Sequence, residues 1–151
     1  MNTTSAAPRN PVIAGLGITE TGKVYGRTPA QFAADAVRRA AADAGLELAD
    51  IDGLFASGGI SGGVGLSLQR DLGLRNLRLL SEVQAYGSTA GAMVQYASMA
   101  VQSGMADTIA CVFADAPLRE KGSTGAAQPA TEPPTTAIRN LFVIPSPLVS
   151  A

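Results

Sequence analysis

The chain has 151 residues, of which 46% are hydrophobic and 15% are charged, and its formal net charge is −1. This length suits one domain with a core of its own, and the near-neutral charge excludes the basic surface that nucleic acid or an anionic membrane would require. No histidine occurs in the sequence, which excludes a Ser-His-Asp triad, a Cys-His dyad and a histidine-ligated metal within this chain.

The first predicted element is a short buried strand over residues 11–17, PVIAGLG, which follows a flexible lead-in over residues 1–10. Gly15 and Gly17 in this strand suggest the dinucleotide-binding motif G-x-G-x-x-G, but Glu20 occupies the third glycine position. The next predicted helix also begins about ten residues too late for that motif. We therefore expect no nucleotide site here.

A strong helix start follows in the sequence TPAQ. Thr28 is a good N-cap, Pro29 occupies the first helical position, and Gln31 is placed to complete a capping box. Gly45 supplies the C-terminal stop. These signals predict an amphipathic surface helix, whose apolar residues recur at helical spacing: Phe32, Ala33, Ala36, Val37, Ala40 and Ala44.

Three elements are predicted in the middle of the chain: a strand over residues 51–56, a short helix over residues 66–72 and a strand over residues 77–83. The loop SGGISGGVG after the first strand is rich enough in glycine to cradle a phosphate. No Lys-Ser/Thr pair follows it, however, so it lacks the P-loop signature. We interpret this loop as a flexible connection.

The chain is organised around the stretch from Ser81 to Gly104, SEVQAYGSTAGAMVQYASMAVQSG, in which no charged residue follows Glu82. Its middle predicts a helix that is apolar on nearly all sides, with Met93 and Met99 filling space, and such a helix belongs inside a protein. The uncharged stretch is long enough to form a membrane-spanning helix. The stretch has too many polar residues for one lipid-facing helix: Gln84, Ser88, Thr89, Gln95, Ser98, Gln102 and Ser103.

The turn before this helix contains our candidate substrate-binding residues, Tyr86, Gly87, Ser88 and Thr89. Ser88 and Thr89 are good N-cap residues, and the turn would aim backbone N–H groups and the positive end of the helix dipole at one point. Capped, buried helices are common in proteins that do no chemistry there. A purely structural role for the turn is therefore the alternative.

A fourth strand is predicted over residues 107–114, DTIACVFA, with Cys111 at its middle as a small buried hydrophobe and not a nucleophile. One cysteine excludes an intrachain disulfide, and with no signal-peptide core at the N-terminus it indicates a cytoplasmic protein. Residues 122–151 are rich in Pro, Thr and Ala and are predicted to be largely disordered. Within them, residues 141–144 form an apolar patch that would dock on the domain or on a partner.

These elements predict a mixed α/β layer structure. The segments VIAGLGITETGKVYGRTPAQFAADAVRRAAADAGLELADIDGLFASGG and LLSEVQAYGSTAGAMVQYASMAVQSGMADTIACVFAD resemble the N-terminal half of the thiolase superfamily. The more specific resemblance is to its branch of sterol-carrier-protein-type thiolases, also called non-specific lipid-transfer proteins. It covers about residues 11–120 and marks residues 11–121 as a thiolase-like domain. It implies a five-layered fold of two similar halves, with the helix of residues 88–104 buried at the centre.

In thiolases, the nucleophilic cysteine lies at the start of that helix, where the helix dipole lowers its pKa, and the other half supplies a histidine and a second cysteine. Here the cysteine position falls on Gly87, so no catalytic residue is assigned. Relatives without this cysteine resemble retro-aldolases that cleave side chains from steroid-like CoA thioesters with an OB-fold partner subunit. Gly87 would leave room for a bulky substrate carbon beside backbone N–H groups, each worth roughly 2.7–4 kcal/mol to an oxyanion.

The family's chains are more than twice this long, so the resemblance implies an incomplete subunit that is inactive alone. It implies an acyltransferase or carbon–carbon lyase of lipid metabolism, with an acyl-CoA or steroid-CoA ligand, no cofactor and no metal. The expected partner is a second copy, paired through the sheet edge at residues 77–83, or a complementary thiolase-like half. The alternative is a non-catalytic module that binds acyl or sterol ligands or pairs with a partner.

Overall fold

The computed structural model describes residues 9–59 and 62–118 and the backbone of residues 141–145. These residues form one five-stranded sheet with helices on both of its faces. The main elements, in chain order, are β1 (Gly15–Gly17), α1 (Pro29–Asp43), β2 (Gly53–Ser57), α2 (Leu68–Leu72), β3 (Leu79–Glu82), α3 (Thr89–Gln102), β4 (Thr108–Phe113) and β5 (Leu141–Pro145). Short 3-10 turns cover Leu48–Asp50 and Tyr86–Ser88.

The strands lie in the spatial order β1-β5-β4-β2-β3. β2 pairs in parallel with both β4 and β3, so Phe55 is in register with Cys111 on one side and with Ser81 on the other. β5 runs antiparallel to both of its neighbours, with Phe142 in register with Leu16 and with Cys111. Within the described part of the chain, β1 therefore joins the sheet through β5, and β3 is the opposite edge.

The sheet has a hydrophobic core on each face because successive side chains of a strand point to opposite sides. Leu54 and Ala56 of β2 belong to the core that α1 closes, whereas Phe55 belongs to the core that α3 closes. The helices α1 and α3 therefore lie on opposite faces of the sheet. β2 is buried along its whole length between them.

The predicted start of α1 is confirmed. The Gln31 N–H donates to Thr28 Oγ1 at 3.2 Å, and the Thr28 N–H donates to Gln31 Oε1 at 2.9 Å, which are the two bonds of a capping box. The helix packs against β1 so closely that a Cβ on Gly15 or Gly17 would collide with carbonyl oxygens of α1. The two glycines thus allow the helix to approach the strand.

The tail differs from its prediction. The sequence predicts residues 122–151 to be largely disordered, whereas Leu141–Pro145 forms β5 inside the sheet. The run Leu-Phe-Val-Ile has a high strand propensity, and it hydrogen-bonds to strands on both sides. The apolar patch at residues 141–144 therefore docks on the domain, which is one of the two places expected for it, and it does so as a strand. The other residues of the range, and the N-terminal lead-in up to residue 8, lie outside the described residues.

The helix α3 forms where it is predicted, but one of its faces is open. Met93 is 1% exposed and packs on the sheet, whereas Tyr96 is 50% exposed and Met99 is 58% exposed. The prediction of burial on nearly all sides is wrong for this chain, because the described residues provide a layer on only one side of α3. Across these residues, no helix has the length and apolar character needed to cross a membrane.

Candidate functional site

The candidate site is the turn that links β3 to α3. Tyr86, Gly87 and Ser88 form a single 3-10 turn, and α3 begins directly afterwards at Thr89. The turn lies beyond the carboxyl end of β3, at the edge of a parallel sheet where ligands commonly bind. The four residues predicted from the sequence therefore lie together in one continuous turn.

Thr89 holds this turn from the inside. Its side chain is almost fully buried, and its hydroxyl accepts the Ala85 N–H at 2.9 Å and donates to the Tyr86 carbonyl oxygen at 2.8 Å. Ser88 occupies the N-cap position without capping the helix, since its hydroxyl donates back to the Ala85 carbonyl oxygen at 2.9 Å. The predicted capping by Ser88 is therefore wrong, because both hydroxyls bond within the turn.

Tyr86 has an unusual backbone conformation. Its φ angle of +48° lies in the left-handed region, and no other described residue except glycine has a positive φ. This conformation costs a side-chain-bearing residue about 1–2 kcal/mol. Its side chain is 84% exposed, so packing of the ring does not offset that cost. The hydrogen bond to its carbonyl oxygen is what holds the residue in place.

Gly87 leaves open space at the start of α3. A Cβ built on it would have no other heavy atom within 4 Å apart from its chain neighbours. The N–H groups of Ser88 and Thr89 already donate to the carbonyl oxygens of Ala85 and Tyr86. An oxyanion at this point would therefore be bound by the Gly87 N–H or by amides in the first turn of α3.

Gln84 links the turn to the neighbouring loop by hydrogen bonds. It was not among the site residues predicted from the sequence. Its Oε1 accepts from Ser57 Oγ at 3.0 Å, and its Nε2 donates to the Gly59 carbonyl oxygen at 3.2 Å. The loop after β2 is thus tied to the segment that enters the turn. No local signal in the sequence marks this role, since its two partners lie 27 and 25 residues away in the chain.

Cys111 lies beneath α3 and not at the turn. Its Sγ is 3.8 Å from the Met93 carbonyl oxygen, and burial raises the pKa of the thiol from 9.0 to about 12. The thiol is neutral at physiological pH, which agrees with its interpretation as a buried hydrophobe. The parts of the chain that the structure describes hold no group of three or more His, Cys, Asp or Glu side chains that could bind a metal ion.

No family model matches the chain. It is 39% identical over 107 residues to a steroid side-chain-cleaving aldolase of Thermomonospora curvata, a match that covers 71% of this chain and 27% of that protein. It is 38% identical over 97 residues to a 17-hydroxy-3-oxo-4-pregnene-20-carboxyl-CoA lyase of Mycobacterium tuberculosis, over 64% of this chain and 25% of that protein. The chain thus spans about a quarter of the length of these curated relatives.

Solved structures share the arrangement of the sheet and helices. An Ltp2-ChsH2(DUF35) aldolase superposes with a TM-score of 0.63 at 38% identity, over 72% of this chain and 28% of that one. A monomeric SCP2-thiolase-like protein from Mycobacterium smegmatis superposes with a TM-score of 0.57 at 19% identity, over 70% of this chain and 23% of that one. The fold is thiolase-like. The mixed α/β fold class expected from the sequence is confirmed.

Proposed function

We propose that this chain forms the N-terminal thiolase-like part of a lyase that cleaves a carbon–carbon bond in a steroid-CoA thioester. The observation that carries the proposal is its 38–39% identity to two proteins named for steroid side-chain cleavage and a steroid-CoA lyase reaction. Gly87 at the start of α3 supports the proposal. The resemblance places the thiolase cysteine at this position, and relatives without that cysteine resemble retro-aldolases. The chain spans about a quarter of the length of those relatives. The proposal therefore concerns only the part of the lyase active site that this chain would form.

A retro-aldol cleavage fits a site without a nucleophile. The hydroxyl on the β-carbon of the thioester loses its proton, the bond between the α- and β-carbons breaks, and the β-carbon becomes a ketone. The electron pair of the broken bond forms a thioester enolate, which takes up a proton to give a shorter acyl-CoA. The reaction needs a base, an acid and donors for the enolate oxygen, but no oxidant and no covalent bond to the protein.

In this reaction the turn supplies space and hydrogen-bond donors. Gly87 leaves room for the thioester carbon beside the start of α3, where backbone N–H groups and the helix dipole favour a developing negative charge. Tyr86 and Ser88 are exposed beside that space and contact the substrate. Thr89 is buried, so it positions the turn from below without touching the substrate.

The base and the acid come from other groups. The sequence has no histidine, and the thiol of Cys111 is buried and neutral. We propose that the remaining part of such a lyase, or its partner subunit, supplies these groups. An assembly of this kind is supported by the similarity to the Ltp2-ChsH2(DUF35) aldolase, which is named for two components.

The proposal is tested by incubating a 17-hydroxy steroid 20-carboxyl-CoA thioester with this chain, and following the shorter acyl-CoA by mass spectrometry. The chain is assayed alone and with the remaining part of a related lyase and its partner subunit. We expect product only in the complemented mixture.

The related lyase's own N-terminal segment serves as the positive control in the same mixture. If that segment restores turnover and this chain does not, the proposed function is wrong. Turnover by the chain alone would refute the need for a partner. Binding of the thioester without turnover in any mixture would favour the alternative of a non-catalytic ligand-binding module.

A further inference from the structure

Polar side chains that the fold buries are concentrated at one edge of the sheet. β1 and β4 both run antiparallel to β5, and β2 is parallel to β3 and β4, so β1, β2, β3 and β4 all end at the same edge. The described residues bury five polar side chains, and four of them lie at this edge: Thr19, Ser57, Thr89 and Asp115. Because a buried polar group is costly unless it is hydrogen-bonded, this concentration indicates an edge whose polar groups are held in fixed positions.

Gln84 joins the ends of two of these strands. It follows β3, and both ends of its side-chain amide bond to the segment that leaves β2. Ser57 Oγ donates to Gln84 Oε1 at 3.0 Å, and Gln84 Nε2 donates to the Gly59 carbonyl oxygen at 3.2 Å. Backbone bonds continue the series, since the Ala114 N–H after β4 donates to the Ser57 carbonyl oxygen at 3.1 Å. The carboxyl ends of β4, β2 and β3 are thus linked side by side.

Gly59 also packs on a buried carboxylate. A Cβ on Gly59 would lie 2.5 Å from Oδ2 of Asp115, whose exposed fraction is 8%, and the φ angle of Gly59 is +60°. A side chain at this position is therefore disfavoured both by contact and by backbone conformation. The other carboxylate oxygen of Asp115, Oδ1, accepts the Ala116 N–H at 2.8 Å, which orients the carboxylate. The carbonyl oxygen that Gln84 binds thus belongs to a segment that is itself held in place.

We propose that Gln84 is a positioning residue, which sets the turn at Gly87 relative to β2 and thereby determines how tightly the candidate site binds its ligand. This inference rests on the proposed function. The residue after Gln84 is Ala85, whose N–H donates to the Thr89 hydroxyl. Thr89 therefore joins the turn to α3, whereas Gln84 joins it to the ends of β2 and β4. The first contact sets the internal shape of the turn, and the second sets its place at the edge of the sheet.

The exposure of Gln84 favours positioning over stabilisation as its main role. Gln84 is an exposed residue, so water can replace its hydrogen bonds when they break, and such bonds contribute little to the free energy of unfolding. Water cannot replace the placement of the turn, because a binding site must hold its groups within about 0.5 Å of the productive geometry. Loss of the two bonds should therefore lower ligand affinity more than stability.

The test is a calorimetric titration of the 17-hydroxy steroid 20-carboxyl-CoA thioester into the wild-type chain and its variants. Gln84→Met removes both hydrogen bonds and keeps the length of the side chain, so we expect at least about fivefold weaker binding with little change in melting temperature. Ser57→Ala removes one of the same bonds. The double variant should therefore lose less affinity than the product of the two single losses. Gln102→Met is the matched control, since it makes the same change at the exposed far end of α3.

The outcomes separate this inference from the proposed function. A wild-type chain that does not bind the thioester contradicts the proposed function, and with it the positioning role. If the wild-type chain binds and Gln84→Met binds equally well, or fails to fold, only the positioning role is wrong. An equal loss of affinity in Gln102→Met would overturn it, because the effect would not be specific to the turn. Losses for Gln84→Met and Ser57→Ala that multiply in the double variant would also overturn it, because the two residues would act separately.

Discussion

The Thr89 hydroxyl donates a hydrogen bond of 2.8 Å to the carbonyl oxygen of Tyr86, joining a buried residue of α3 to a residue in the left-handed region. The same hydroxyl accepts the Ala85 N–H, so one side chain closes the turn from both ends. The shape of the candidate site thus depends on a residue that faces the core. Substitutions beneath the site should therefore change it as much as substitutions at its surface.

Replacing Thr89 tests this dependence. Thr89→Val keeps the shape of the side chain but leaves the Ala85 N–H and the Tyr86 carbonyl oxygen without their partner, so we expect the free energy of unfolding to fall by about 1–3 kcal/mol. Thr89→Ser keeps the hydroxyl and should cost less. Urea unfolding followed by circular dichroism measures both values. A larger loss for Thr89→Ser than for Thr89→Val would show that the methyl group, and not the hydroxyl, stabilises the turn.

Tyr86→Gly should separate stability from binding. Removing the side chain relieves a left-handed strain of about 1–2 kcal/mol and adds a backbone entropy cost of about 0.5–1 kcal/mol, so stability should rise by up to about 1.5 kcal/mol. Affinity for the steroid-CoA ester should fall, because the proposed contact between the ring and the substrate is lost. Thermal melting and ligand titration measure the two effects, with Tyr86→Phe as the control that keeps the ring. A loss of stability in the glycine variant would contradict the strained conformation.

Gly87→Cys places a thiol where the resemblance expects the thiolase nucleophile. The amides and dipole at the start of α3 favour the thiolate, so the pKa of this thiol should lie below the usual ~8.5. Its alkylation rate should rise with pH and level off above that lowered pKa. Cys111 should not react, because burial raises the pKa of its thiol to about 12. Alkylation no faster than that of free cysteine at neutral pH would show that the turn is misplaced.

The close contact of β1 with α1 is tested by a pair of glycine substitutions. Gly17→Ala should destabilise the chain by about 1–3 kcal/mol, because the new Cβ would collide with the backbone of α1 at Ala36. Gly91→Ala is the matched control, since its Cβ meets nothing within 4 Å on the exposed side of α3. That change should stabilise the helix by up to about 1 kcal/mol. Chemical unfolding of both variants measures the difference.

The role of β5 is tested by deletion. Removing residues 138–151 takes away the strand partner of β1, so the amides of Gly15–Gly17 should lose protection from hydrogen exchange. Removing residues 146–151 alone leaves β5 in place and is the control. Hydrogen exchange followed by mass spectrometry measures both. Unchanged protection of β1 in the longer deletion would contradict the pairing with β5.

Local signals in the sequence were sufficient for much of the fold. The capping box at Thr28 and Gln31 predicted the start of α1, because both of its hydrogen bonds are formed within four residues. The position of β5 could not be predicted in this way, since its pairing with β1 and β4 joins residues far apart in the chain. The exposure of Met99 was missed for a related reason. Composition shows that a helix is suited to burial, but not whether a second layer is present to bury it.

The candidate site was predicted in place but not in detail. The sequence identified Tyr86, Gly87, Ser88 and Thr89, and the structure has them in one turn at the start of α3. It gave no sign that Tyr86 would adopt a left-handed conformation or that Gln84 would bridge two loops. The Gln84 bridge depends on tertiary contacts, which no local pattern encodes.

The proposed function depends on a substrate that lies against Gly87. The most direct measurement is a calorimetric titration of the 17-hydroxy steroid CoA ester into the wild-type chain and into Gly87→Leu, whose side chain would enter the open space, since a Cβ on Gly87 meets no other part of the fold within 4 Å. We predict binding to the wild-type chain and a loss of at least about tenfold in affinity for the variant, with its melting temperature unchanged. Equal affinities for the two chains would contradict the placement of the substrate at this turn.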